Sequence, residues 1–245
     1  MFQDGWVVIP IGVLGKLRIH WTSFLVIAIV FCGLWPFFKL YSNLSTEMAV
    51  VVAALAAVMI IVSVILHEMS HTLSGFLLGI DARRSTTNVI VVFGWALEGS
   101  LIEWSRWKRV FVHGSSIMVH AALTVTISLA LIDTVRESAW FPALVVIAWF
   151  NLICLINNAV PDKNWRNDGS ETLAAIFAIQ EHTKPAKQIF VRLWTVKPTI
   201  ILCFALASLF LGWWVLAVVS VGAVVYFFKP PQGLSRIPDN LRYKQ

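Results

Sequence analysis

The chain has 245 residues, of which 58% are hydrophobic and only 13% charged, with a mean hydropathy of +0.79. A soluble domain carries about 25% charged residues, so this composition excludes a soluble enzyme and points to a membrane protein. The formal charge of +6 then reads as membrane topology and needs no nucleic-acid partner.

The first 20 residues lack a basic start followed by an apolar core, so no cleavable signal peptide is expected. Apolar runs predict spans near 21–38, 48–79, 110–132 and 140–160, a short apolar piece at 171–180 and a long run at 199–228. The last exceeds the roughly 20 residues of one crossing, so it is one tilted helix or a tight hairpin around Gly212. The expected fold class is therefore an all-α polytopic membrane protein with five or six transmembrane helices. Between the second and third spans, Ser85 to Ile102 is rich in β-branched residues and predicts a small β-hairpin or edge strand, with a second strand toward Leu101.

Basic residues set the orientation. Arg83, Arg84, Arg106, Lys108 and Arg109 crowd the segment 81–109, whereas 133–139 holds only Arg136. The richer side is predicted cytoplasmic, and Lys16 and Arg18 place the N-terminus and the β element there too. Residues 1–228 read as a single transmembrane domain, and Lys229 to Gln245 as a short basic cytoplasmic tail. Cys32, Cys154 and Cys203 lie singly in apolar stretches, which argues for packed thiols rather than disulfides or a cysteine metal site. Among the 12 tryptophans, Trp104, Trp107, Trp140, Trp165 and Trp194 fall near predicted span ends, as interfacial anchors do.

Residues 67–71 read His-Glu-Met-Ser-His inside the apolar run from Met48 to Leu78. A charge at the centre of such a segment costs roughly 2.5–3.5 kcal/mol unless it faces a partner, a cavity or a metal, so a functional site is expected. His67 and His71, four apart, share one helix face and can share one ion. Glu68 stays beside that ion without ligating it and can take a proton from water, which is the zincin pattern. Zinc lowers the pKa of its water to about 7 and polarises a scissile carbonyl.

A catalytic zinc needs a third protein ligand. The best source is the segment after the fourth span, where Asn157-Asn158-Ala159-Val160-Pro161 leads through Asp162 to Asp168-Gly169. Its proline and glycine imply broken helix, which is tolerated at membrane depth where it lines a cavity. Asp168 is the expected ligand, with Asp162 in reserve, and Asn157 or Asn158 offers an amide to hold a substrate strand. The competing reading makes Asp168 an N-cap to Ser170-Glu171-Thr172. His113 and His120, seven apart at two helical turns on the third span, could approach this site, but read first as interior histidines with satisfied hydrogen bonds, and His20 reads as an interfacial residue.

Taken together, His-Glu-Met-Ser-His late in one span, an Asn…Pro…Asp-Gly segment two spans later and the opening stretch Ile11 to Trp21 resemble the site-2 protease family of intramembrane zinc metalloproteases. The resemblance runs from about Gly12 to Gly169. The chain departs from the family's pattern where Asp168 follows Pro161 by seven residues, where Ser170 replaces a frequent second glycine, and at Gly114-Ser115, where Gly-Pro is common. The resemblance implies one zinc per chain held by His67, His71 and Asp168, with Glu68 as catalytic base. It implies hydrolysis of a peptide bond within or near the transmembrane segment of a single-span membrane protein, or of a remnant already trimmed by another protease. The short chain and the lack of a targeting segment suggest a bacterial or archaeal plasma membrane. A helical substrate must be unwound before cleavage, and the strand within Ser85 to Ile102 is expected to offer its edge to it by β-addition. The alternative is a catalytically inactive membrane relative that binds metal or clients; an intact Glu68 argues against it, because metal binding alone needs no carboxylate between the histidines. A transporter would need an internal repeat, and none is convincing.

Overall fold

Among the described residues of the computed structural model, four helices are long and apolar enough to cross a membrane: α1 (Trp21–Tyr41), α2 (Thr46–Leu77), α3 (Arg106–Asp133) and α4 (Phe141–Ala159). The structure describes residues 2–3, 5–41, 44–79, 86–89, 95–96, 105–134, 138–161, 167–177 and 196–206, with 208–209, 217, 220 and 221 beyond them. A short helix, α5 (Asp168–Phe177), follows α4, and an apolar helix, α6 (Val196–Leu206), comes after it. All four long helices fall within a few residues of the expected spans. The hairpin expected around Gly212, the tail from Lys229 and the reserve carboxylate Asp162 lie outside the described residues.

Helix α2 dominates the architecture. Ser45 caps it by accepting a hydrogen bond from the Met48 amide (3.2 Å), and Glu47 in the first turn complements the positive helix end. Its 32 residues make it about 48 Å long at 1.5 Å per residue, well beyond the roughly 30 Å of a hydrocarbon core. The buried stripe begins as Ala49, Val52, Ala53, Ala56 and Ile60, where small side chains let α1 and α4 approach closely. Phe38 of α1 and Val146 and Ile147 of α4 complete this core. Toward the C-terminal end the same stripe becomes His67, Glu68, Ser70, His71, Thr72 and Ser74. Leu25, Ile29, Leu55, Leu129 and Ile132 point outward and are exposed, as lipid-facing residues are.

A five-stranded sheet caps one end of the bundle, in the order β1 (Phe2–Gln3), β2 (Trp6–Pro10), β3 (Lys16–His20), β4 (Thr86–Val89), β5 (Trp95–Ala96). β3 leads directly into α1, and the α1–α2 hairpin brings the chain back to the same end, so β4 can pair with β3 in parallel. Two buried contacts pin the sheet to the helices. The Thr72 and Thr87 hydroxyls meet at 2.6 Å, and Ser23 donates to the Val89 carbonyl at 3.4 Å.

The expected hairpin within Ser85 to Ile102 is formed by β4 and β5, and of the two only β5 lies at an edge of the sheet among the described residues. β4 has β3 on one side and β5 on the other, antiparallel through Thr87↔Ala96 and Asn88↔Trp95. Its backbone is therefore already paired, and the edges of the sheet are the two-residue strands β1 and β5. The N-terminal strands, distant in sequence, cover the other side of β4. The second strand lies at 95–96, and the stretch on toward Leu101 is outside the described residues.

Candidate metal centre

His67 and His71 stand one helical turn apart on the buried face of α2, with ring centroids 5.3 Å apart. The helix around them is self-satisfied, because Ser70 donates to the His67 carbonyl (2.6 Å) and Ser74 to the His71 carbonyl (3.0 Å). Their hydroxyls thus claim no ring nitrogen. The imidazoles are free to face the other helices.

The third residue arrives through a tightly built junction between α4 and α5. Val160 is extended (φ −82°, ψ 122°), as the residue before a proline must be, and this ends α4 just ahead of Pro161. Asn167 then ties the two helices together. Its amide donates to the Asn157 and Val160 carbonyls (2.6 and 2.7 Å), and its Oδ1 accepts from the Ser170 amide (3.0 Å) and hydroxyl (2.8 Å). The N-cap of α5 is therefore Asn167, which corrects the reading of Asp168 as a cap and leaves the Asp168 carboxylate for other partners. Gly169 completes the junction. A Cβ there would lie 2.3 Å from the Ala159 carbonyl oxygen and 2.6 Å from that of Asn158, so only glycine lets α5 start this close to the end of α4.

The carboxylate turns toward α2. Asp168 Oδ2 lies 3.4 Å from His67 Nε2, and Oδ1 lies 3.4 Å from His71 Nε2. One ligand atom from each of the three residues falls within 4.8 Å of the others, and all three side chains are buried. Glu68, 5% exposed, has Oε1 3.9 Å from His67 Nε2, beside the group and not within it.

The donor set fits a zinc ion. His71 Nδ1 donates to the Val112 carbonyl (3.0 Å), so Nε2 is the nitrogen directed at the Asp168 carboxylate. Each imidazole nitrogen approaches its own Asp168 oxygen at 3.4 Å, close to the roughly 3.3–3.4 Å between ligand atoms held about 2.0–2.1 Å from a tetrahedral ion.

Helix α3 supplies residues that the sequence analysis set aside. His113 Nδ1 donates to Asp168 Oδ1 (2.9 Å), and the Ser116 hydroxyl donates to Oδ2 (2.6 Å). The His120 ring packs on that of His67, with centroids 4.9 Å apart, while its Nδ1 donates to Asn151 Oδ1 (2.9 Å). His113 and His120 are interior and hydrogen-bonded as expected, and both also stand against the cluster. Their signal was available: 113, 116 and 120 recur at helical spacing in an apolar span, aligned with the polar stripe of α2. An Arg109–Glu171 ion pair (2.7 Å) adds a second tie from α3 to α5.

Asn157 and Asn158 stand aside from the cluster. Asn158 donates its amide back to the Cys154 carbonyl (3.0 Å), and Asn157 faces Lys197 of α6, whose Nζ lies 2.8 Å from its carbonyl oxygen and 3.4 Å from Oδ1. Lys197, 3% exposed, thus reaches the C-terminal end of α4, where carbonyls lack helical partners.

No protein-family model matches the chain, and no curated protein matches it. Among solved structures it is similar to the site-2 protease from Methanocaldococcus jannaschii, with 16% identity, coverage of 91% of this chain and 92% of that one, and a TM-score of 0.49. A likeness this distant does not bear on chemistry, which the residues of the site must carry themselves.

Proposed function

We propose that the chain is an intramembrane zinc metalloprotease that cleaves a peptide bond within or near the transmembrane segment of a membrane protein. One observation carries the reading: two imidazoles from a membrane-length helix and a carboxylate from a separate helix converge within 4.8 Å, with a buried glutamate alongside. His67, His71 and Asp168 would hold the ion. When bound, zinc supplies a Lewis acid that acidifies water and polarises a carbonyl.

Glu68 is the base in this reading. Its Oε1 takes a proton from the attacking water and returns it to the nitrogen of the departing amine. Burial of Glu68 among apolar helices keeps bulk water from this carboxylate, so the proton is exchanged with the reactants. His67 and His71 lie in the apolar run of α2, about 15 and 9 Å before its C-terminal end at Leu77, so in this reading a substrate reaches the site from the apolar layer or its edge. A single-span protein, or a trimmed remnant of one, has the dimensions to do so.

Glu68→Gln tests the proposal. Wild type and variant, reconstituted with a panel of single-span reporter proteins, should both hold about one zinc, and the wild type alone should release fragments cut within or beside an apolar segment. Zinc in both proteins with cleavage by neither would instead assign the chain to metal- or client-binding relatives without activity.

A further inference from the structure

Metal ligands keep their orientation through outer partners, and loss of such a partner typically weakens metal binding 10- to 100-fold. We propose that α3 is the orienting element of this centre, with its own groups setting each of the three ligands: the Val112 carbonyl for His71, His113 with Ser116 for Asp168, and the His120 ring for His67. The proposal rests on the zinc reading above and extends it to positioning residues.

Each of the three contacts is of a different kind. His71 uses the common device, an Nδ1–H donated to a backbone carbonyl, here that of Val112 at 3.0 Å. Asp168 is clamped at both oxygens by residues one turn apart, His113 at 2.9 Å and Ser116 at 2.6 Å, so its carboxylate plane cannot swing. His113 Nε2 is buried and has no hydrogen-bond partner among the described residues, which makes the bond from Nδ1 to Asp168 the reason for the ring's placement.

His67 has a weaker form of that device: its Nδ1 is buried without a well-formed hydrogen bond, and the polar group beside the ring is the Ser116 backbone of α3. The His120 ring adds to this support, packed at 4.9 Å and an interplanar angle of 34°. His120 is itself held by a buried chain. Asn151 accepts its Nδ1–H at 2.9 Å and donates to the Ile147 carbonyl (2.9 Å) and to Ser63 (3.1 Å), which lies one turn before His67 on α2. The support thus runs from α2 through α4 and α3 back to the ligand. Val112, Ser116 and His120 recur every four residues, so one face of α3 presents all of these groups together.

The test is zinc affinity of the full chain in detergent, measured by competition with a chromophoric chelator, with cobalt(II) spectra reporting the ligand geometry. His113→Ala, Ser116→Ala and His120→Ala should each bind zinc 10- to 100-fold more weakly than wild type. His113→Asn and Ser116→Thr, which keep a donor, should recover most of the affinity and a wild-type cobalt spectrum. His120→Phe should recover it too, because it keeps a packed ring without a nitrogen. A wild type that takes up no metal overturns the zinc reading itself. A loaded wild type whose three alanine variants match it overturns the orienting role alone, and a His120→Phe protein as weak as His120→Ala overturns the ring-packing support of His67.

Discussion

Gly169→Ala should displace Asp168 and so, on the zinc reading proposed above, weaken metal binding without replacing any of the three proposed ligands. The added Cβ would sit 2.3 Å from the Ala159 carbonyl oxygen, 2.6 Å from that of Asn158 and 2.7 Å from the Ala159 carbonyl carbon. All three neighbours are backbone, so no rotamer change relieves the contact, and ordinary van der Waals separation begins near 3.4 Å. The start of α5 must therefore retreat by about 1 Å, and Asp168, the preceding residue, moves with it. Overpacking of this kind costs about 1–3 kcal/mol in stability. A shift of about 1 Å in a ligand should also weaken zinc by about 10- to 100-fold, comparable to losing an outer partner. Gly114→Ala is the control, since a Cβ there meets nothing within 4 Å and the site lies in α3 between His113 and Ser115. Replacing that mid-helix glycine should be neutral or stabilise by up to about 1 kcal/mol. Thermal unfolding in detergent and chelator competition for zinc measure both effects. A Gly169→Ala protein with wild-type melting temperature and wild-type zinc affinity would refute the argument that the abutment of α4 and α5 sets the position of Asp168.

Asn167→Asp keeps the cap to Ser170 but cannot donate to the Asn157 and Val160 carbonyls, whereas Asn167→Ala loses both; the aspartate variant should fall between wild type and alanine, with the cap alone worth about 1 kcal/mol in thermal unfolding. Thr72→Val leaves the buried Thr87 hydroxyl without its partner and should cost about 1–3 kcal/mol while zinc affinity stays at the wild-type value, because the contact ties α2 to the sheet and not to the ligands; Thr72→Ser should restore most of the stability. Stripping zinc with a chelator should lower the melting temperature, and free zinc at about 100 times its dissociation constant should return about 2.7 kcal/mol, measured by titrating metal during thermal unfolding. His67→Ala should abolish that metal-dependent gain.

The sequence alone determined the four described spans and the pairing of His67 with His71 on one face of α2. Twenty or so apolar residues in a row leave few alternatives to a membrane helix, which is why α1 to α4 lie close to their expected limits. The four-residue spacing of His67 and His71 is a local property, so helix geometry alone puts both rings on one face. Asp168 was legible only as a possibility, because its freedom depends on Asn167 taking the cap and on Gly169 fitting against α4. What the tertiary structure decided was everything joined across the bundle. His113, Ser116, His120 and Asn151 act through contacts between residues 31 to 55 positions apart in three of their described bonds, and no local pattern encodes those distances. The sheet followed the same rule: β4 returns after two helices to pair in parallel with residues 16–20, so of the expected hairpin only β5 lies at the edge. Periodicity reports which face of an element is buried, whereas the identity of the neighbour that buries it emerges only when the helices pack.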